Sequence, residues 1–527
     1  MAEALAKLAQ RLLSGSATVA PGGLSALQTA MLEGAVSAAR TLRSNVSSAA
    51  PAPARVALAL PPGPTFVSAL WGCWLAGAAA VPLGRGYPAP DLAHVLKNSD
   101  ACAVLAGRNS DACAVLAGRE ESAAGGLEAA GFAGVEQAAA SEHVDILYLE
   151  GNGPLGAPGG GRRLGKLVQD LLENGERARE EGGALVIYTS GTTGRPKGAL
   201  WGHNNLEAQT QVLGKAWGWE EGDEILHALP LHHVHGLVNA LLTPLSVGAS
   251  VRFIDRFSAQ AVWRELIDRP EISVFMGVPT MYARLLSAWD TMPRGEQAAA
   301  RVAAQRLRLA VCGSAACPVP ILERWRALAG EFPLERYGMT ETGMVLSNPY
   351  EGERRPGTVG PPLPGVDVRV SESQELLVRG PSVFRGYLGE PEKSRQAFTS
   401  DGYFKTGDTV EVGQGGYFSI KGRTNVDILK VGGFKVSALE IESKLLGLEG
   451  VAECAVVGLR HESLGQEVGA IMVWAGLAAP PTLGEIRDRA ASIMPRHHLP
   501  GALQWVEAIP RNAMGKVNKL ELARFFE

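Results

Sequence analysis

The 527-residue sequence is poor in cysteine, in aromatic residues and in net charge. Its six cysteines (Cys73, Cys102, Cys113, Cys312, Cys317, Cys454) are irregularly spread and form no CxxC pair. That excludes a disulfide framework and suits a reducing compartment. Fifty Lys and Arg against 54 Asp and Glu leave a formal charge of −4. Such a balance gives no electrostatic footprint for nucleic acid or an anionic membrane surface. No clean apolar run of roughly 20 residues occurs, the length a membrane span needs. The most apolar stretch, FVSALWGCWLAGAAAVPL from Phe66, is interrupted by Ser68, Gly72, Gly77 and Pro82 and reads as a buried helix running into a strand. A Walker loop is also missing. In GNGPLGAPGGGRRLGK (151–166), Gly160, Gly165 and Lys166 approximate one, but Leu167 stands where a Mg²⁺-binding Ser or Thr belongs. That segment reads as a linker.

What is present is a globular chain, 46% hydrophobic and 20% charged, long enough for several domains. From residue 55 short apolar runs (RVALALP, GAAAVPL, GALVIYTS, VRFID, ISVFMGVP, LRLAVCGS) alternate with helix-length segments. The alternation predicts an α/β fold with mostly parallel sheets. NSDACAVLAGR at 98–108 recurs identically at 109–119; one copy is expected to form the strand and the other to loop out. After about residue 370 the units shorten and become β-rich (ELLVRG, GYFKTGD, GYFSIKGR), and a compact βαβ-like tail follows 424. The expected division is a possible targeting or surface segment at 1–23, a large N-terminal domain at 24–422 with its β-rich subdomain at about 365–422, and a small mobile α+β domain at 423–527. In the first segment Leu5, Leu8 and Leu12 share a face beside Lys7 and Arg11, with only Glu3 acidic. That pattern suits a transit peptide or a plain surface helix, so mitochondrion, cytoplasm and plastid stay open, and secretion is not expected.

Four of the ten histidines fall in LHALPLHHVHGLVN (226–239): His227, His232, His233 and His235. Imidazole is the commonest metal ligand. A zinc site would still need a convergent carboxylate or a further histidine, no HExxH occurs, and adjacent His232 and His233 cannot share a strand face. A wall of a polar pocket is the better reading.

IYTSGTTGRPKGA (187–199) follows an apolar strand. Its glycines let backbone N–H groups close around a phosphate, the hydroxyls add donors, and Lys197 adds charge. The segment resembles the phosphate loop of the adenylate-forming superfamily, which includes the acyl-CoA synthetases. The resemblance runs from about residue 55 to Lys516 through ERYGMTETG (335–343), YFKTGD (403–408), KGR (421–423), VGGFKVSALEIE (431–442) and PRNAMGKVNK (510–519). Members usually carry an extra strand pair ahead of the helix matching LSALQTAMLEGAVSAARTLR, so the chain is expected to begin late.

The resemblance implies two half-reactions with ATP, Mg²⁺ and coenzyme A: attack of a carboxylate on the α-phosphate, then displacement of AMP by a thiol. It implies that Thr189, Ser190, Gly191, Thr192, Thr193, Gly194, Arg195, Pro196 and Lys197 hold the β- and γ-phosphates. Tyr337 stacks on adenine, beside Gly313, Ser314 and Ala315. Thr340 meets the α-phosphate, while Glu341, with Thr192, holds Mg²⁺. Asp408 accepts from the ribose hydroxyls, assisted by Arg423. Lys516 bridges carboxylate and α-phosphate, with Lys197 and Thr340 as its catalytic partners, and Asn425 is the hinge.

LPLHHVHGLVNALLTPL, VPTMYARL, ERYGMTETGM and RRPGTVGPPLPGV further resemble the malonyl-CoA synthetases. A second carboxylate needs a buried cation beside it. Arg284 is the first choice and Arg354 or Arg355 the second, with His233, Val234 and Met339 lining the acid. Malonate, with methylmalonate as a tolerated alternative, is the expected substrate. Another short or medium acid, or an inactive nucleotide-binding protein, are the competing readings. A monomer or weak homodimer is expected.

Overall fold

The computed structural model describes residues 26–45, 54–84, 86–107, 135–149, 183–189, 195–476, 479–511 and 517–527. The 1–23 segment, read as a possible targeting or surface segment, the 109–119 copy of the repeat and the 151–166 stretch lie outside the described residues. The first copy supplies a strand, Ala101–Gly107. Among the described residues the chain builds four sheets. The first runs, in spatial order, Gly386–Tyr387, Lys197–Trp201, Leu185–Thr189, Ala79–Pro82, Arg55–Ala59, Ala101–Gly107 and Asp145–Leu149. Its last five strands are parallel, and the two at the other edge are antiparallel.

The apolar stretch from Phe66 is the buried helix expected. Pro64 opens it at a position where no N–H is needed, and it stops at Gly77, whose φ is 80°. Its face packs against helix Ala26–Asn45, and Ser68 donates its hydroxyl to the Met31 carbonyl. Among the described residues no helix is long and apolar enough to cross a membrane.

The second sheet has the order Gly343–Ser347, Leu334–Met339, Leu309–Cys312, Val274–Gly277, Glu224–His227, Ser250–Phe253. Five of its strands are parallel, so their carboxyl ends open on one edge, where α/β folds place ligands. His227, Gly313, Ser314 and Met339 all sit at or just beyond those ends. The third sheet is antiparallel, Asp367–Val370, Glu375–Arg379, Phe404–Val412 and Phe418–Arg423, and its register sets Asp408 opposite Arg423.

The tail keeps the expected strand, helix, strand order in Phe434–Ser437, Ala438–Leu445 and Val451–His461, but not the parallel pairing of a βαβ unit. Ile428–Val431 and Phe434–Ser437 form an antiparallel hairpin, as do Val451–His461 and Gly465–Trp474; only Ala502–Trp505 joins in parallel. Gly432 and Gly433, with φ of 57° and 87°, make the two-residue left-handed turn that closes hairpins. The VGGF spelling carried that signal.

Candidate active site

The strand Leu185–Thr189 and the strand Lys197–Trp201 pair Thr189 with Lys197, so the ends of the phosphate loop are pinned together. Ser190, Gly191, Thr192, Thr193 and Gly194, and also Lys516, lie outside the described residues. Arg195 is exposed, and the Pro196 carbonyl accepts from His94 Nε2 at 2.9 Å. His94, on helix Ala89–Ser99, had no sequence signal, because it reaches the loop only through the fold.

From Lys197 a chain of contacts runs through Tyr387 to Glu341. The Lys197 Nζ sits 5.1 Å from the ring centroid of Tyr387, and the Tyr387 hydroxyl donates to Glu341 Oε1 at 2.9 Å. Phe384 N–H donates to the Glu341 carbonyl at 2.8 Å, and Trp201 Nε1 to the Thr340 carbonyl at 2.8 Å. The charge of Glu341 is felt at Arg423, whose Nε lies 3.1 Å from Asp408 Oδ1. The Tyr337 hydroxyl donates to Asp408 Oδ2. Asp408 is nearly buried, and desolvation pushes its carboxyl up against the opposing pull of Arg423. The structure thus joins Lys197 and Glu341 through Tyr387, and Tyr337 and Arg423 through Asp408. Glu341 is a hard carboxylate, 6% exposed, accepting one hydrogen bond at Oε1 from Tyr387. A carboxylate has further acceptor capacity, so the residue fits a Mg²⁺ ligand.

Next to these contacts lies a second, smaller group. Arg336 is 3% exposed, its Nε lies buried without a partner, and its Nη2 reaches Ser314 Oγ at 3.5 Å. Ser314, held at a φ of 70°, also meets His235 Nδ1 at 3.1 Å. His235 Nε2 is likewise buried and unpartnered. A Cβ on Gly313 would stand 2.6 Å from the Arg336 guanidinium carbon, so a larger residue there would displace that side chain. Burial holds Arg336 down to about 10 and keeps His235 well below the usual histidine range. A desolvated cation without a counter-ion is costly, and its cost is removed when an anion is bound. His235 opens a π-helical turn, Leu242 ends it, and such turns concentrate at functional sites.

The acid-pocket residues expected from sequence are only partly here. Arg284 is corrected: on helix Pro279–Thr291 it shares an exposed stripe with Thr280 and Ser287, while Met281, Tyr282, Leu285 and Leu286 face inward. Arg354 is corrected too, because its guanidinium is spent on the carbonyls of Phe332, Pro349 and Tyr350 and on Glu331. Arg355 pairs with Glu353. Val234 is buried, Met339 and His233 are half-buried, and His232 packs edge-on against Tyr87, where burial lowers it to about 4. His232 is therefore the supporting histidine and His235 the one beside the cation. Among the described residues no three His, Cys, Asp or Glu side chains converge to hold a metal. Asn425 occupies an exposed turn. Arg336, within ERYGMTETG, carries no sequence signal of its burial, since Glu335 and Arg336 are adjacent charges in the short strand LERYGM.

Its neighbour Glu335 is also buried, its carboxyl accepts from Gly357 N–H at 3.0 Å, and desolvation pushes it up to about 8. The folded carboxyl is protonated where the unfolded one has ionised. The folded state is therefore penalised progressively as pH rises from about 4.5 to about 8, and constantly above that. Glu335→Gln is expected to be more thermostable than the parent, by about 1–3 kcal/mol at pH 8.5 and by nothing at pH 4.5. Thermal melts across that range check it; a gain independent of pH contradicts the assignment.

A sequence model of the AMP-binding enzyme family matches residues 31–388, and one of the AMP-binding enzyme C-terminal domain matches 440–516. A mitochondrial malonate–CoA ligase from Bos taurus is 41% identical over 517 residues, covering 89% of this chain and 81% of its own. A malonate–CoA ligase from Arabidopsis thaliana is 38% identical, covering 90% and 78%. The crystal structure of ATP-bound MatB from Rhodopseudomonas palustris superposes with a TM-score of 0.77 at 30% identity, covering 95% of this chain and 93% of that one.

Proposed function

The chain belongs to the AMP-binding enzyme family, and from that premise we propose that it ligates malonate to coenzyme A with ATP, through an acyl-adenylate, giving malonyl-CoA, AMP and pyrophosphate. The protein is an AMP-forming acid–thiol ligase. The observation that carries the choice of acid is Arg336, a buried guanidinium with an unpartnered Nε beside Ser314 and His235. A fatty or aryl acid would leave that charge desolvated and unpaired. A short dicarboxylate pairs one end with it and presents the other to ATP.

In this reading Tyr337 packs on adenine and Asp408 accepts from the ribose hydroxyls, with Arg423 holding Asp408 in place. The phosphate loop from Thr189 to Lys197 cradles the terminal phosphates, and Glu341, with Thr192, holds Mg²⁺, which supplies charge neutralisation when bound. Both steps build negative charge, so oriented N–H donors and cations dominate the rate. Lys197 and Thr340 act on the phosphates during adenylation, and Lys516 bridges carboxylate and α-phosphate. Asn425 is the hinge at which the 423–527 domain turns before the thiol attacks the acyl carbon. The mitochondrial relative supports a mitochondrial site of action, with the cytoplasm as alternative.

Acid-dependent AMP release with CoA, across malonate, methylmalonate, succinate, acetate and octanoate, tests the assignment. Malonate is expected to lead, methylmalonate to follow, and octanoate to give no more than background. Highest activity on octanoate would overturn the choice of acid and leave the ligase chemistry standing.

A further inference from the structure

Tyr387 stands between two groups that the reaction uses, and nothing about its own chemistry gives it a step. It lies on Gly386–Tyr387, a two-residue strand that adds to the edge of the first sheet opposite Ala199 and Leu200. Such a short strand contributes little pairing energy. What it does is set one side chain. The ring meets Lys197 Nζ at 5.1 Å, and the hydroxyl donates to Glu341 Oε1 at 2.9 Å. The ring is itself fixed: Phe384 packs on it edge-on at 4.9 Å, and Tyr387 N–H donates to Ser394 Oγ at 2.9 Å. Phe384 N–H also grips the Glu341 carbonyl, so the same turn of chain holds Glu341 by backbone and side chain.

We propose that Tyr387 is a positioning residue that sets the phosphate-loop lysine and the metal carboxylate in one register. The hydroxyl fixes the rotation of the Glu341 carboxylate through Oε1 and leaves the other oxygen to the cation that Glu341 would hold. The ring face attracts the ammonium of Lys197 and restrains a long, flexible side chain on the phosphate side of Glu341. Without that ring, Lys197 and Glu341 are free to pair with one another, which would occupy both and shut out the metal. The proposal rests on the reading of Glu341 as metal carboxylate and of Lys197 as phosphate cation.

ATP binding by isothermal titration, with Mg²⁺ and with EDTA, tests it on the full-length protein and its Tyr387→Phe, Tyr387→Leu and Glu341→Gln variants. In the parent, Mg²⁺ tightens ATP. Tyr387→Phe keeps the ring and loses the hydroxyl, so the Mg²⁺-dependent gain is expected to fall about tenfold, the size of a hydrogen bond to a charged group. Its affinity in EDTA is expected to stay within about twofold of the parent, because the lysine still has its ring. Tyr387→Leu is expected to lose affinity in EDTA as well, by about three- to fivefold. A full Mg²⁺-dependent gain in Tyr387→Phe, with none in Glu341→Gln, overturns the role of Tyr387 alone. Equal losses with and without Mg²⁺ in Tyr387→Phe reduce it to packing and also overturn the proposal. A parent-like gain in Glu341→Gln overturns the metal reading of Glu341 and removes the premise.

Discussion

Arg336→Met is expected to cut kcat/KM for malonate by about two to three orders of magnitude, roughly 3–4 kcal/mol, while sparing or improving turnover of butyrate. The direction follows from what the guanidinium lacks. It is 3% exposed, its Nε has no partner, and burial already draws its proton affinity down to about 10. Bound malonate supplies the missing counter-charge, and removing the arginine leaves a buried carboxylate facing methionine. Butyrate brings no second charge, so for it the native arginine is a desolvation cost that the variant no longer carries. Stability of the free protein should hold or rise, because an unpaired buried cation is exchanged for a volume-matched apolar chain. Steady-state kinetics on both acids, with thermal melts, decide the matter. Equal losses on malonate and butyrate would show that Arg336 shapes the site without reading the acid. Arg284→Met serves as the contrast, and its exposed position predicts a small change on either acid.

The second large effect is expected at Asp408. This carboxylate is 6% exposed, takes the Tyr337 hydroxyl, and pairs with Arg423 at 3.1 Å. In the proposed reading Asp408→Ala removes the acceptor for the ribose hydroxyls, and it leaves Tyr337 and Arg423 without their partner. KM for ATP should rise by roughly 100-fold, about 3 kcal/mol. The cost in stability is smaller than for a fully enclosed pair, about 2 kcal/mol, because the Arg423 side chain is 39% exposed and water takes up part of the loss. The specific signature is nucleotide choice. The parent should prefer ATP over 2′-deoxy-ATP by about tenfold, and the variant should treat them alike. A variant that still discriminates would move the ribose contact to another residue.

Much of the candidate site was legible in the order of residue types along the chain. A run of Gly, Ser and Thr ending in Lys197 after an apolar strand suits a phosphate cradle or a flexible turn, and the ordered motifs that follow it, resembling the adenylate-forming enzymes, chose between the two. Short apolar runs spaced by helix-length segments dictated parallel sheets, because the period of burial is written in the chain. Asp408 and Arg423 were each visible as motif residues, and antiparallel register then made them partners.

The choice among arginines was decided by tertiary structure alone. The sequence put Arg284 first and Arg354 or Arg355 second, and Arg336 was not among its candidates. The helix turns Arg284 to solvent with Thr280 and Ser287. The strand Leu334–Met339 has Leu334, Glu335 and Arg336 buried in succession, so alternation offers no exposed face. Charge becomes informative only where burial makes it expensive, and burial depends on what packs above and below. Tyr387 and His94 belong to the same class, since each touches its target across a gap of dozens of residues. The residue types by themselves determined what chemistry the chain carries; the packing of one element over another decided which charge has no water to turn to.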